Sequence, residues 1–270
     1  MSFEVGLRAY GLAFDGAHIW VSDPGLRKVV KLRAADGAIV ATYGPFPNVG
    51  ALAFDGGYIW VANPSNNTVT KLRASDGTEV GTYNVGASPT GMAFDGTHIW
   101  VTNYNSNNVT QLKASDGTEV GTYGAGFRPT GIAFDGTYIW VANQTENIIK
   151  FRTDGTVAGT YWAGSFQHGL AFDGTHIWVA VLDSRAVVKL RASDGVVLGT
   201  YNVGTYPIGV VFDGTHIWVS DLDSNSVIKL KASDGSEVGR WSVGNAPEVL
   251  AFDGVNVWVA NSGSGTVSKL

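Results

Sequence analysis

Histidines are the first side chains to consider for acid–base chemistry, because imidazole titrates near neutral pH. The chain of 270 residues contains five of them. Four end the phrase F-D-G-x-H in separate copies of a repeat and therefore cannot meet at one substrate: His18, His98, His176 and His216. His168 lies elsewhere, in the segment S-F-Q-H-G (165–169), and is the one candidate catalytic base. General acid–base catalysis needs a partner in hydrogen-bond reach, and Asp183 and Arg185 of the same repeat are the nearest candidates.

Three carboxylates could supply the several oxygen ligands that Mg²⁺ or Ca²⁺ binds: Asp221, Asp223 and Glu248. No D-x-D-x-D-G calcium loop accompanies them. The chain has no cysteine, hence no thiolate metal site, and no G-x-S-x-G nucleophile motif. With no complete catalytic set, the sequence favours a protein that is not an enzyme and has no cofactor. A Mg²⁺ or Ca²⁺ ion at these carboxylates is the alternative.

One repeated phrase, A-F-D-G-x-x-I-W-V, divides the chain into seven near-copies. Its tryptophans recur every 40 residues, apart from one step of 38: Trp20, Trp60, Trp100, Trp140, Trp178, Trp218 and Trp258. A fixed period near 40 with strand-forming content is typical of a β-propeller. We therefore expect residues 1–270 to form one all-β domain, a seven-bladed propeller with about 40 residues per blade.

Each copy predicts four antiparallel strands. In the third copy we expect strands at 91–94, 98–102, 108–113 and 119–123, with Asp-Gly turns at 95–96 and 116–117. The last copy stops at Leu270 after its third strand, whereas residues 3–6 match 83–86 at the end of a fourth strand. We therefore predict that the N-terminal strand pairs beside residues 267–270, completes the last blade and removes an exposed edge.

The turns predict two unlike faces of the propeller. First-to-second and third-to-fourth turns are nearly invariant between copies, and they define a plain face. Second-to-third loops and inter-blade loops differ in every copy, and they define a variable face, where binding residues usually lie. The ligand-binding candidates on the variable face are Tyr10, Tyr104, Phe127, Arg128, Phe166, His168 and Tyr206.

Two interpretations of these side chains stay open. The aromatic residues fill gaps between loops, or they form a shallow site for a sugar, a peptide or an apolar small molecule. The position of His168 varies between copies, since the other copies have Tyr10, Gly50, Thr90, Thr130, Ile208 and Glu248. This position lies near the axis of the predicted propeller.

Composition excludes several classes of function. The net charge is −5, but 13 of the 17 aspartates precede glycine and belong to turns. No basic patch suited to nucleic acid and no apolar run of about 18 residues for a membrane span is present. The N-terminus lacks a signal peptide. We expect a cytoplasmic monomer, although a trimmed secreted protein would have the same sequence.

The repeats resemble the YVTN and NHL class of β-propellers. The unit P-x-G-φ-A-F-D-G-x-x-φ-W-V, clearest at 89–101 and 129–141, is similar to the repeat of streptogramin (virginiamycin B) lyases. The resemblance implies seven blades and, for the family activity, Mg²⁺-assisted opening of a cyclic depsipeptide by histidines in Pro-His-Gly loops and a glutamate. Here His168 alone fills such a histidine position, after Gln167 in place of proline. The glutamate position holds asparagine, Val181, Asp23 or Asp221.

Three hypotheses of function follow. The first is a rigid binding module that recognises a ligand or protein partner through its variable face. The second is a lyase-like or hydrolase-like enzyme with His168 as base and a metal at the channel mouth. The third is an amplified or consensus-designed propeller with no specific activity.

Overall fold

Seven four-stranded antiparallel sheets form a ring in the computed structural model, which describes residues 1–145 and 147–270. In six sheets the strands follow chain order from the axis to the rim, and in the seventh the N-terminal strand lies outside the last strand of the chain. The innermost strands of neighbouring sheets contact one another, and the last contacts the first, which closes the ring. The prediction of a seven-bladed, all-β propeller is confirmed. Within the described residues there is no helix of the length and hydrophobicity that a membrane span requires.

The strand bounds of the first four blades are as follows. Blade 1 contains β2 (Leu12–Phe14), β3 (His18–Asp23), β4 (Lys28–Arg33) and β5 (Ile39–Tyr43). Blade 2 contains β6 (Leu52–Phe54), β7 (Tyr58–Asn63), β8 (Thr68–Arg73) and β9 (Glu79–Asn84). Blade 3 contains β10 (Pro89–Phe94), β11 (His98–Asn103), β12 (Asn108–Lys113) and β13 (Glu119–Gly124). Blade 4 contains β14 (Pro129–Phe134), β15 (Tyr138–Asn143), β16 (Ile148–Arg152) and β17 (Val157–Tyr161).

The remaining three blades repeat this order. Blade 5 contains β18 (Gln167–Phe172), β19 (His176–Val181), β20 (Ala186–Arg191) and β21 (Val197–Asn202). Blade 6 contains β22 (Pro207–Phe212), β23 (His216–Asp221), β24 (Ser226–Lys231) and β25 (Glu237–Ser242). Blade 7 contains β26 (Pro247–Phe252), β27 (Val257–Asn261), β28 (Thr266–Lys269) and the N-terminal β1 (Ser2–Glu4).

The closure of the ring agrees with the predicted pairing of the two chain ends. Strand β1 pairs antiparallel with β28, with Phe3 opposite Val267. The ring of Phe3 stacks on Trp258 at 5.6 Å between centroids, where five blades use the tyrosine of their fourth strand and blade 6 uses Trp241. Phe3 therefore replaces an aromatic residue that the last repeat lacks.

Strands in blade 3 extend slightly further than the sequence predicts. Strand β10 begins at Pro89, two residues early, and its register against β11 shifts between Pro89 and Gly91. Proline has no N–H to donate to the ladder, which suits the irregular end of a strand. Strands β11 and β13 each continue one residue beyond the predicted end.

The Asp-Gly turns of the plain face are closed within their own copy. Asp95 Oδ1 accepts hydrogen bonds from the N–H groups of Thr97 and His98, at 2.8 and 2.6 Å. Asp95 Oδ2 accepts one from Trp100 Nε1 at 2.8 Å. Gly96 has φ +96°, a conformation that other residues rarely adopt. The repeated phrase therefore encodes a turn and fixes its tryptophan at the same time.

The core lies between neighbouring blades. Trp100 is fully buried, stacks on Tyr123 of its own blade, and packs with Ile139 and Val141 of the next blade. The other repeated tryptophans pack against the next blade in the same way. Adjacent blades are thus joined by a large aromatic contact, and each such side chain buries on the order of 200 Å².

Buried lysines add a second link between blades that the sequence analysis did not identify. Lys150 is 4% exposed, its Nζ lies 4.8 Å from the Trp140 ring centroid, and it donates a 2.6 Å hydrogen bond to the Ala192 carbonyl of the next blade. Burial lowers the pKa of Lys150. The same contact to a tryptophan ring occurs at Lys31, Lys71, Lys189, Lys229 and Lys269.

Candidate functional site

A cavity of about 420 Å³ lies on the propeller axis and is lined by the innermost strands of all seven blades. Tyr104 and Gln144, which follow β11 and β15 in variable-face loops, complete its wall. The cavity therefore belongs to the variable-face end of the channel. Its volume lies in the usual range for small-molecule sites.

Two layers of side chains line the cavity. The polar collar consists of the residues at the position of His168 in each blade that carry a side chain: Tyr10, Thr90, Thr130, His168, Ile208 and Glu248. The apolar layer consists of the residues two positions later: Leu12, Leu52, Met92, Ile132, Leu170, Val210 and Leu250. A ligand would thus meet hydrogen-bonding groups first and an apolar floor below them.

Glycine between the two layers permits the close approach of neighbouring inner strands. A Cβ at Gly131 would overlap the carbonyl oxygen of His168 in the next blade. Thr130 Oγ1 spans the same junction, since it donates a 2.9 Å hydrogen bond to the Gln167 carbonyl. Small residues therefore lie between the two layers near the axis, and contacts between blades hold the collar in place.

His168 lies in the collar without an acid–base partner. It is half-buried, and burial lowers the pKa of its imidazole, so the neutral form prevails near pH 7. Its ring lies 6.4 Å from the Tyr206 ring, between centroids. Among the described residues, no hydrogen bond or ion pair joins His168 to Asp183 or Arg185, and Asp183 is exposed. His168 is thus placed to contact a ligand but not arranged as a general base.

Among the described residues that line the cavity, Glu248 is the one acidic side chain, and none is lysine or arginine. Its side chain is 15% exposed, and Arg8 Nη2 lies 3.8 Å from its Oε1. Tyr10 stands beside it: burial raises the pKa of the Tyr10 phenol, and the charge of Glu248 raises it further, while Arg8 acts in the opposite direction. This part of the collar therefore has a negative character.

The opposite part of the rim is aromatic. Tyr104 Oη donates a 2.9 Å hydrogen bond to Gln144 Oε1, so loops of blades 3 and 4 meet above the cavity. The Arg128 guanidinium lies 5.2 Å from the Tyr104 ring centroid and 5.1 Å from that of Phe127. Phe127 is 39% exposed and Phe166 is 43% exposed. Of these residues, Tyr104 and Gln144 line the cavity, whereas Phe127, Arg128 and Phe166 lie outside its lining.

Asp221, a candidate cation ligand, is a buried loop cap. Its oxygens accept hydrogen bonds from the N–H groups of Thr205 and Tyr206 and from Ser224 Oγ, at 3.2, 2.8 and 2.6 Å. Asp23 does the same in blade 1 for the N–H groups of Leu7, Arg8 and Leu26. Carboxylates that accept several backbone hydrogen bonds are committed to their own loops.

The three candidate ligands, Asp221, Asp223 and Glu248, do not fit a Mg²⁺ or Ca²⁺ site. Asp223 is exposed, Asp221 is committed to its loop, and Glu248 lies in the collar. Across residues 1–145 and 147–270, no three carboxylates or imidazoles converge as a metal would require. No step is therefore assigned to a cation.

Asparagine takes the place of Asp23 and Asp221 in four blades. Asn103 Nδ2 donates to Asn108 Oδ1 and Thr110 Oγ1, at 2.8 and 2.9 Å. Asn63 and Asn261 likewise bond chiefly to side-chain hydroxyl groups, whereas Asn143 Nδ2 donates to a loop carbonyl, that of Asn147.

A side pocket of about 180 Å³ adjoins the cavity at blade 2, where the collar position is Gly50. Tyr10 and Thr90 line both spaces, and Arg8, Asn48 and three prolines complete the pocket. Since glycine leaves the collar without a side chain here, the gap makes the cavity asymmetric.

The apolar layer and Gln144 are the lining residues that the sequence analysis missed. The layer could have been found by strand alternation, because it lies two residues after the individual collar position in every copy. Gln144 carries no such signal, since its role depends on a contact with Tyr104 of the preceding blade.

No family model and no curated protein matches the chain. Solved structures match over nearly the full length. Hydrazine synthase of Kuenenia stuttgartiensis superposes with a TM-score of 0.85 and 16% identity, covering 99% of this chain and 97% of that chain. A streptogramin B lyase superposes with a TM-score of 0.84 and 19% identity, covering 100% and 96%. At this identity the likeness establishes the fold, a seven-bladed propeller resembling the streptogramin lyase family, and does not extend to activity.

Proposed function

We propose that this propeller is a rigid binding module that takes a compact, largely apolar small molecule or peptide segment into its axial cavity from the variable face. The observation that carries the proposal is the apolar layer beneath a polar collar. Pockets with a mostly apolar wall and a few placed polar groups are typical of ligand sites.

The collar is suited to binding rather than to catalysis. Its threonine hydroxyls are committed to carbonyl groups, as Thr130 shows with Gln167 and Ala142. His168 has no hydrogen-bonded acid or base to exchange a proton with among the described residues. Recognition through the side chains of Tyr10, His168 and Glu248 needs no such partner.

Filling the cavity tests the proposal. Ile208 is a half-buried collar residue, and the Ile208→Trp variant should occupy the space that a ligand needs. Hexan-1-ol, followed by NMR titration, serves as the apolar probe. We expect saturable binding to the unmodified chain and its loss in Ile208→Trp, with circular dichroism showing that the ring stays folded.

Val120→Trp is the matched control, because Val120 is 46% exposed on the outer strand of blade 3. It adds the same indole far from the axis and should leave hexan-1-ol binding unchanged. Equal binding to all three proteins, or none to any, would contradict the proposed function.

A further inference from the structure

We propose that the ligand carries an ammonium or similar cationic head, bound between the Glu248 carboxylate and the Tyr10 ring, with its apolar body in the layer below. This inference rests on the proposed function of the axial cavity and specifies the chemical class of its ligand.

The charge of the cavity is the first reason. Within residues 1–145 and 147–270, Glu248 is the one acidic residue that lines the main cavity, and no basic residue lines it. Its side chain is only 15% exposed. Charges withdrawn from water are normally paired, since an isolated one is costly. A cation inside the cavity would supply that pairing.

The partner that Glu248 already has is a weak one. Arg8 Nη2 lies 3.8 Å from Glu248 Oε1, beyond hydrogen-bonding distance, and the Arg8 side chain is 54% exposed. Exposed ion pairs of this kind contribute little. Arg8 approaches from the side pocket, not from the main cavity. It can therefore give way to a cation that reaches the carboxylate more closely.

The Tyr10 ring provides the second half of the site. The Arg8 guanidinium carbon lies 5.8 Å from the Tyr10 centroid, so one cation already lies near both the ring and the carboxylate. Cations bind the faces of aromatic rings, and the attraction grows when both are desolvated. Burial raises the pKa of Tyr10, so its phenol stays neutral at physiological pH.

The rest of the collar favours a cation over an anion. Burial lowers the pKa of His168, so the imidazole adds no positive charge to the cavity near pH 7. Thr90, Thr130 and Ile208 are neutral. An anionic ligand would meet Glu248 without a compensating group in the main cavity.

Three six-carbon probes test whether the cavity prefers a cationic, a neutral or an anionic ligand: hexylammonium, hexan-1-ol and hexanoate. Each is titrated into the full chain near neutral pH and at low salt. We expect hexylammonium to bind tightest, about tenfold or more above hexan-1-ol, because charge-assisted hydrogen bonds exceed neutral ones. Hexanoate should bind weakest. Glu248→Gln should reduce hexylammonium to the level of hexan-1-ol. Glu237→Gln is the matched control, an exposed glutamate already bound to Arg240.

Substitution of Arg8 should change the affinity for hexylammonium in the direction opposite to Glu248→Gln. A merely structural role of Arg8 would not produce this change. Arg8→Ala should tighten hexylammonium binding by roughly two- to fivefold, because it frees Glu248 and removes a competing positive charge. Arg33→Ala makes the same charge change on the plain face, where Arg33 pairs with Asp36, and should have no effect.

The outcomes distinguish this inference from the function on which it rests. If hexylammonium binds no better than hexan-1-ol, or Glu248→Gln leaves it unchanged, while Ile208→Trp still blocks the probes, the cationic ligand is wrong and the cavity function stands. If no probe binds, or Ile208→Trp blocks none of them, the proposed function fails and this inference fails with it.

Discussion

The two faces of the propeller differ in where their loops find hydrogen-bond partners. On the plain face, Asp95 satisfies the turn and the tryptophan of its own copy. On the variable face, Asn107 Oδ1 accepts the N–H of Arg128 from the next inter-blade loop, and Tyr104 reaches Gln144 of the next blade. The F-D-G turn is self-contained and can be repeated unchanged, whereas a variable-face loop bonded to its neighbour must suit that neighbour. The stabilising turn therefore recurs in every blade, whereas the loops suited to recognition lie at the contacts between blades.

The largest expected effect is the loss of folding stability when a buried tryptophan is replaced, compared with the replacement of an exposed one. Trp140 is fully buried, stacks on Tyr161 and donates to Asp135, whereas Trp162 is 57% exposed in the following inter-blade loop. Trp140→Ala should lower the free energy of unfolding by about 3–5 kcal/mol. Trp162→Ala should change it by less than about 0.5 kcal/mol. Urea denaturation measures both, and equal losses would contradict the assignment of stability to the repeated part.

An effect of intermediate size is expected at low pH, where protonation of the plain-face aspartates should reduce the stability of the folded protein. Burial opposes ionisation of Asp173, but hydrogen bonds from Trp178 Nε1 and from the N–H groups of His176 and Thr175 outweigh it and hold its pKa below the ordinary value. The pKa values of Asp15, Asp213 and Asp253 are lowered in the same way. Because these pKa values are lower in the folded state, the stabilisation is present above the ordinary pKa and is lost as the pH falls through the folded-state value.

Melting temperatures between about pH 6 and pH 2 test this dependence. Asp173→Asn should melt lower than the parent at neutral pH and lose less on acidification. Asp223→Asn changes an exposed carboxylate of the variable face and should keep the parent slope. Parallel curves for the parent and Asp173→Asn would count against the plain-face carboxylates as the source of acid sensitivity.

The smallest expected effect on stability concerns two residues with left-handed backbone conformation, Gly174 on the plain face and Phe166 on the variable face. Gly174 has φ +95° and open space around its Cβ position, whereas Phe166 has φ +55° despite its bulky side chain. Gly174→Ala should cost about 1–2 kcal/mol from the backbone alone. Phe166→Gly should be neutral or stabilising by up to about 1 kcal/mol, since the strain is relieved. A clearly destabilised Phe166→Gly would mean that this aromatic residue supports the fold.

The repeat made most of the fold predictable. The Asp-Gly turns, the inter-blade tryptophans and the pairing of Phe3 beside Val267 all follow from local phrases that recur at a fixed interval. Lysine 150 was not predictable in this way, because lysine is rarely buried and its position depends on a carbonyl group of the next blade. Interactions inside one copy can be inferred from sequence more easily than those between copies.

The candidate site shows the same limit. The variation of their position between repeats marks His168 and Tyr10, the carboxylate marks Glu248, and the cavity brings all three to one collar. The sequence makes Asp221 a possible cation ligand, because it shares a loop with Asp223. Its carboxylate accepts hydrogen bonds from the N–H groups of Thr205 and Tyr206. These bonds depend on how the preceding loop folds back, and no local motif predicts that conformation.

The gap at Gly50 has a consequence for selectivity. Seven identical blades would offer a guest seven equivalent poses and no means of choosing among them. Here the described lining has one carboxylate, one imidazole and one missing collar side chain, so the seven directions around the axis are not equivalent. A guest molecule can therefore be held in one orientation by a scaffold that is otherwise nearly the same in every direction.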